Sequence, residues 1–307
     1  MQKLKNKDLI SINLLSIEEV ELILQETDRT KKGPRNTNEL AGKTLAMIFE
    51  KSSTRTRVSF EVGMYQLGGI GMFFSANDLQ IGRGETVHDT AKVLSRYVDG
   101  IMARTFKYQT ILDLARYATV PVINGLTDYD HPCQALCDIF TIYEKRGKLK
   151  GLTLTYIGDG NNVLHSLIQA SVKVGMNINY ASPQGYKPLK EVVDEALEVA
   201  KITGSKITDF NTAEDAIKDA DVIYTDVWVS MGQEKENEKR KKDLQAFQLN
   251  GELMKKAKSD VLVMHCLPAH RGEEITDEVM DGPNSIVFDQ AENRLHTQKA
   301  IMKLLMT

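Results

Sequence analysis

The sequence predicts an α/β protein of two doubly wound parallel-sheet domains, and three observations predict it. Short apolar runs alternate with helix-period stretches along the chain, the pattern of parallel strands joined by crossover helices. The charged segment Glu144-Lys145-Arg146-Gly147-Lys148-Leu149-Lys150-Gly151 interrupts that alternation near the middle, like a junction between two halves. The polar residues hardest to explain as packing follow directly on the apolar runs, at the carboxyl edge where open parallel sheets bind ligands. A length of 307 residues suits two domains. One covers 1–149 and takes back a C-terminal helix of about 290–307; the other covers 150–289, with a cleft between them.

Taken in order, Ser16 and Glu19 form a capping box for a first helix of roughly fifteen residues. Apolar runs at 44–49, 70–74, 99–103 and 120–124 read as strands, and the helix after the first reaches Leu67. A long helix starts at Pro132, a favoured first-turn residue, and ends near Gly147. Strands follow near 152–157, 177–181, 205–209, 221–225, 261–264 and 285–288, then a last helix from about Gln290 to Met306.

Composition narrows the function. Hydrophobic content of 42% and charged content of 26% fit a globular chain with sizeable cores. A net charge of −3 gives no reason to expect nucleic acid or membrane as a partner. The basic start, Met1 to Asp8, precedes no apolar run of signal length, and no stretch is long enough to span a bilayer. Cys133, Cys137 and Cys266 form no CxxC pair and cannot all pair with one another. A reducing cytoplasm is the expected setting.

The chemistry gathers around Phe49-Glu50-Lys51-Ser52-Ser53-Thr54-Arg55-Thr56-Arg57. A strand-to-helix turn presents backbone N–H groups at the positive end of a helix dipole, a site for phosphate. Ser53, Thr54 and Thr56 add hydroxyls, and Arg55 and Arg57 add guanidiniums that match phosphate oxygens bidentately. The plain alternative is a capped helix with surface arginines. Arg104 and His131 can polarise a carbonyl oxygen, or serve as a surface ion pair and a helix cap. Gln134 can accept from an amide. Cys133 and Cys137, four apart on one helix, read as packing. Gly158-Asp159-Gly160-Asn161-Asn162-Val163 imitates a dinucleotide fingerprint. Val163 replaces its last glycine, and Ala181-Ser182-Pro183 stands where the acidic residue belongs, so NAD is disfavoured. Asn162 is an amide at a helix start, a ligand contact or an N-cap. Asp226 with Ser230 suits an α-amino group. The run Glu234 to Asp243 is a solvated face or a closing lid. Cys266 is a thiol poised at a strand end or an inert buried cysteine. His265 and His270 lack a third ligand at metal spacing, so neither metal nor organic cofactor is expected.

These residues together resemble the aspartate/ornithine carbamoyltransferase family over nearly the whole chain. Phe49-x-Lys51-x-Ser53-Thr54-Arg55-Thr56 and His131-Pro132-Cys133-Gln134 match two of its signatures, and Asp226-x-x-x-Ser230-Met231-Gly232 with His265-Cys266-Leu267-Pro268 looks like its ornithine branch. The resemblance implies carbamoyl phosphate on Ser53, Thr54, Arg55 and Thr56, with Arg104, His131, Gln134 and Arg294 around it. It implies ornithine on Asn162, Asp226, Ser230 and Met231, with Cys266 and Leu267 at the reacting end. It also implies a homotrimer, or a multiple of one, with Gln80 supplied by a neighbour. The implied reaction is attack of a neutral δ-amine on the carbonyl carbon, catalysed by Arg104, His131 and Cys266, giving citrulline and phosphate in biosynthetic or catabolic arginine metabolism. An amine of pKa about 10 is about 99.9% protonated at pH 7, so supplying the neutral form is a large part of the task. Transfer to putrescine or N-acetylornithine, a non-catalytic ligand-binding relative and a nicotinamide-dependent oxidoreductase remain as alternatives.

Overall fold

Strands pair only in parallel among the described residues, and they form two sheets. The computed structural model describes residues 4–75, 79, 84–230, 232 and 236–307. One unit comprises Met1–Phe140 with Glu292–Thr307, the other Thr141–Ala291. The first holds β1 (Thr44–Phe49), β2 (Ile70–Ser75), β3 (Gly100–Arg104) and β4 (Val122–Leu126), in the order β2-β1-β3-β4. The second holds β5 (Thr153–Ile157), β6 (Asn177–Ala181), β7 (Ile207–Phe210), β8 (Val222–Thr225) and β9 (Leu262–His265), in the order β7-β6-β5-β8-β9. The winding reverses between β1 and β3 and again between β5 and β8, so both sheets are doubly wound. β1 and β8 are buried almost throughout, as strands covered on both faces must be.

Local chemistry sets the helix ends. Ser16 Oγ accepts from the Glu19 N–H at 3.2 Å, and the Glu19 carboxylate accepts from the Ser16 N–H at 2.9 Å. This is the expected capping box for the helix Ile17–Lys32. The long helix runs Pro132–Arg146. The strand expected at 285–288 does not form. Ser285 makes one bridge to Val263, and Val287 already begins the helix Val287–Met306. A short apolar run does not by itself tell strand from helix. Here Ile286, Val287 and Gln290 are buried and Phe288 is exposed, which is a helical face.

The last helix packs into the first unit. Gly63 has no Cβ, which leaves room for Met302; a Cβ there would lie 2.7 Å from its terminal methyl. Lys303 Nζ lies 2.6 Å from Glu26 and 2.9 Å from Glu39, and the Glu26 side chain is 1% exposed. Glu26 keeps Arg29 on its other oxygen at 2.7 Å, so Lys303→Met, which removes one of its two charged partners, is expected to cost about 1–3 kcal/mol. Urea unfolding checks this, and an unchanged midpoint would contradict it.

Candidate functional site

In the first unit the switch point of the sheet brings the carboxyl ends of β1 and β3 side by side, the place where such sheets bind ligands. β1 runs on into the helix Thr54–Gln66, whose N-cap is Ser53; its hydroxyl accepts from the Thr56 N–H at 3.2 Å. The β3–β4 register slips between Ala103 and Arg104, an irregularity of the kind that re-aims a side chain. The Arg104 carbonyl accepts from the Glu50 N–H at 2.8 Å, which ties it to the loop after β1.

Tertiary packing completes this set. From the last helix, Arg294 donates through Nη1 to Gln134 Oε1 and through Nη2 to Thr56 Oγ1, the latter at 3.3 Å. Gln134 donates in turn to Asp138 at 2.8 Å, which orients its amide. Arg104 and His131 are buried, so a surface ion pair does not describe Arg104, while the His131 carbonyl accepts from the Gln134 N–H at 3.1 Å and the Ala135 N–H at 3.2 Å where the helix starts. Burial holds the His131 pKa well below its ordinary value, and Arg294, Arg104, Arg55 and Lys51 push the same way. The imidazole is therefore neutral at pH 7 and has one N–H to donate. Lys51 is paired with Asp128 and lies 4.6 Å from the centre of the Phe106 ring. Arg57 lies 3.8 Å over the Phe73 ring and pairs with Glu61. Lys51, Arg55, Arg104 and Arg294 thus all act on a neutral histidine beside a helix N-terminus, an arrangement whose charge suits an anion.

The second unit has its switch point between β5 and β8. Asn161 caps the helix Asn162–Lys173, so Asn162 is its first residue. Asp226 follows β8 and is buried. One of its oxygens accepts from Asn161 Nδ2 at 2.7 Å, the other from Cys266 Sγ at 3.0 Å. Cys266 is half-buried, whereas Cys133 and Cys137 are fully buried, and burial pushes Cys133 up to about 12. Those two are packing, as their spacing indicates. Leu267 adopts φ 59°, the left-handed region that a branched side chain rarely enters, and its N–H donates to His265 Nδ1 at 2.9 Å. Strain of this kind gathers at functional loops. The His265 proton then sits on Nε2, 3.1 Å from Glu274.

The fold brings Asp226, His265 and Cys266 within 4.8 Å of one another as possible metal donors, which spacing along the chain did not foresee. Both His265 ring nitrogens are already engaged within the protein. Gly160 owes its identity to packing: a Cβ there would lie 2.4 Å from the Pro188 nitrogen. The glycine thus admits the neighbouring loop rather than a pyrophosphate.

Ser230 and Asn162 are half-buried in this unit. The loop carrying Ser230 is held by Arg240, whose Nε donates to the Trp228 carbonyl at 2.6 Å and whose Nη2 pairs with Asp159. Burial pushes the Asp159 pKa up to about 6, against the pull of Arg240. The sequence places Asn161 with Asn162 at the edge beyond β5 but gives the ligand role to Asn162 alone, and it gives Asp159 and Arg240 no role. Asn161 stood one place from the residue chosen, and Arg240 looks like any solvated charge in a polar run. Gln80 and Met231 lie outside the described residues.

Residues 7–144 match a family model described as aspartate/ornithine carbamoyltransferase, carbamoyl-P binding domain, and residues 150–305 match its Asp/Orn binding domain. The chain is 56% identical to the ornithine carbamoyltransferase of Thermococcus kodakarensis, over 99% of this chain and 97% of the relative. An ornithine carbamoyltransferase of Pyrococcus furiosus, named anabolic, is 54% identical over 99% of this chain and 97% of its own. A solved structure of ornithine carbamoyltransferase from Pyrococcus furiosus superposes with a TM-score of 0.95 at 54% identity, covering 100% of this chain and 99% of that one.

Proposed function

The chain belongs to the aspartate/ornithine carbamoyltransferase family, and from that premise we propose how its residues divide the work. The reaction moves the carbamoyl group of carbamoyl phosphate to the δ-amine of ornithine, giving citrulline and phosphate. The observation that carries the residue assignment is the convergence of Lys51, Arg55, Arg104 and Arg294 on neutral His131.

Ser53, Thr54, Arg55 and Thr56 hold the phosphate at the helix N-terminus. Arg104 and His131 donate to the carbonyl oxygen as it gains charge, the preorganised arrangement that lowers acyl-transfer barriers most. A neutral His131 does this without giving up a proton. Arg294 braces Thr56 and Gln134. On the acceptor side, Asn162, Asp226, Ser230 and Met231 hold the amino-acid end of ornithine, and Cys266 with Leu267 meets its δ-amine. Attack gives a tetrahedral intermediate that collapses with phosphate leaving, and the attacking nitrogen loses its extra proton. Holding both reactants in register supplies much of the remaining acceleration.

The name of the Pyrococcus furiosus relative supports the biosynthetic direction, towards arginine. The assembly we propose is a homotrimer, or a multiple of one, with Gln80 of a neighbour completing the carbamoyl phosphate site. Exposed Ile70 and Met72 on the edge strand β2, with Val58 and Tyr65 on the helix beside it, support self-association. A cytoplasmic setting fits three cysteines without a disulfide, and no described helix is long and apolar enough to cross a membrane.

The test is phosphate release from carbamoyl phosphate with ornithine, putrescine, aspartate or N-acetylornithine, each corrected for spontaneous breakdown. Turnover with ornithine alone is expected. Turnover with another acceptor instead would overturn the Asp226 and Ser230 assignments, and a folded protein inert with all four would be a ligand-binding relative.

A further inference from the structure

Asn161 meets two demands at once. Its Oδ1 accepts from the Val163 N–H at 2.9 Å and the Leu164 N–H at 3.4 Å, capping the helix, and from Tyr156 Oη at 3.4 Å. With the oxygen committed to donors, the amide cannot flip, and Nδ2 must face the other way. There it meets Asp226 Oδ2 at 2.7 Å, while Cys266 Sγ donates to Asp226 Oδ1 at 3.0 Å.

We propose that Asn161 is a positioning residue for the acceptor substrate: it clamps the Asp226 carboxylate in the direction that receives the ammonium of ornithine, with a donor that brings no charge. An arginine or lysine in its place would fix the carboxylate equally well but would neutralise it. This inference rests on the reading of Asp226 as an ornithine ligand. The titratable groups around Asp226 are Tyr156 on β5, Asp159 beyond β5 with its partner Arg240, and His265 and Cys266 at the end of β9, with Glu274 behind His265.

The experiment compares Asn161→Asp and Asn161→Ser with the wild-type chain. Aspartate and serine both cap helices about as well as asparagine, so both variants keep the helix, and the unfolding midpoint of Asn161→Ser stays near the wild-type value. Asn161→Asp sets a second carboxylate against Asp226, and two such groups retain a shared proton to higher pH than either alone. The KM for ornithine is expected to rise about tenfold or more at pH 8, because a buried charged hydrogen bond is lost. As pH falls towards 6 and the shared proton restores a donor, the KM returns towards the wild-type value. Asn161→Ser, which has no donor arm of that length, raises the KM without the new pH dependence. A purely structural cap moves neither KM nor its pH profile, and wild-type values in both variants would overturn the proposal. Alkylation of Cys266 by iodoacetamide reads the same clamp without turnover, since the other two cysteines are fully buried. A changed alkylation profile in both variants supports the clamp and an unchanged one overturns it, whichever amine the wild-type enzyme uses; the wild-type assay with ornithine judges the acceptor reading separately.

Discussion

Arg55→Ala is expected to lower kcat/KM for carbamoyl phosphate by about 100-fold to 1,000-fold, because a bidentate charged contact to phosphate is lost where charge develops. The residue sits in the first turn of the helix Thr54–Gln66, half-buried, close enough to His131 to depress its pKa. Its guanidinium is expected to address the phosphate beside the helix N–H groups, and the hydroxyls around it carry no charge to replace it. Ser53 still caps the helix in the variant, and the unfolding midpoint should hold within about 1 kcal/mol, the scale on which a lost cap would register. Steady-state phosphate release and calorimetric binding of carbamoyl phosphate check this. Unchanged affinity would remove Arg55 from the site.

Asp226→Ala is expected to act on the other substrate. Its KM for ornithine should rise about 100-fold, the loss expected when an ammonium gives up a buried carboxylate. The KM for carbamoyl phosphate should stay within about twofold, since the residues proposed for it belong to the first unit and Asp226 to the second. The same substitution leaves the Asn161 amide and the Cys266 thiol without their shared acceptor, so kcat falls as well. An unaltered ornithine KM would count against the assignment, whatever happened to kcat.

These contrasts explain which parts of the protein were legible in the sequence. β1 and β6 have the limits expected of them. The run at 285–288 misled because three consecutive apolar residues satisfy a strand and the first turn of a buried helix alike. The phosphate turn was readable because local geometry alone, a strand end followed by a capped helix, gives it meaning. Arg294 was not readable in that way. It reaches Thr56 across 238 positions, and only the resemblance to a family pointed to it. Asn161 and Asn162 are adjacent amides at one helix start, and nothing in their order tells which caps and which is the first helical residue. Arg240 shows the limit most plainly, since burial of one charge within a polar run is decided by Asp159 and the Trp228 carbonyl.

This chain moves a carbamoyl group from carbamoyl phosphate to the δ-nitrogen of ornithine. The most direct measurement follows the carbonyl carbon of 13C-labelled carbamoyl phosphate by NMR in the presence of ornithine and the purified enzyme. The label is expected to leave carbamoyl phosphate and enter the ureido carbon of citrulline, in amounts equal to the phosphate released. Label recovered only as cyanate or bicarbonate, at the uncatalysed rate, would contradict it.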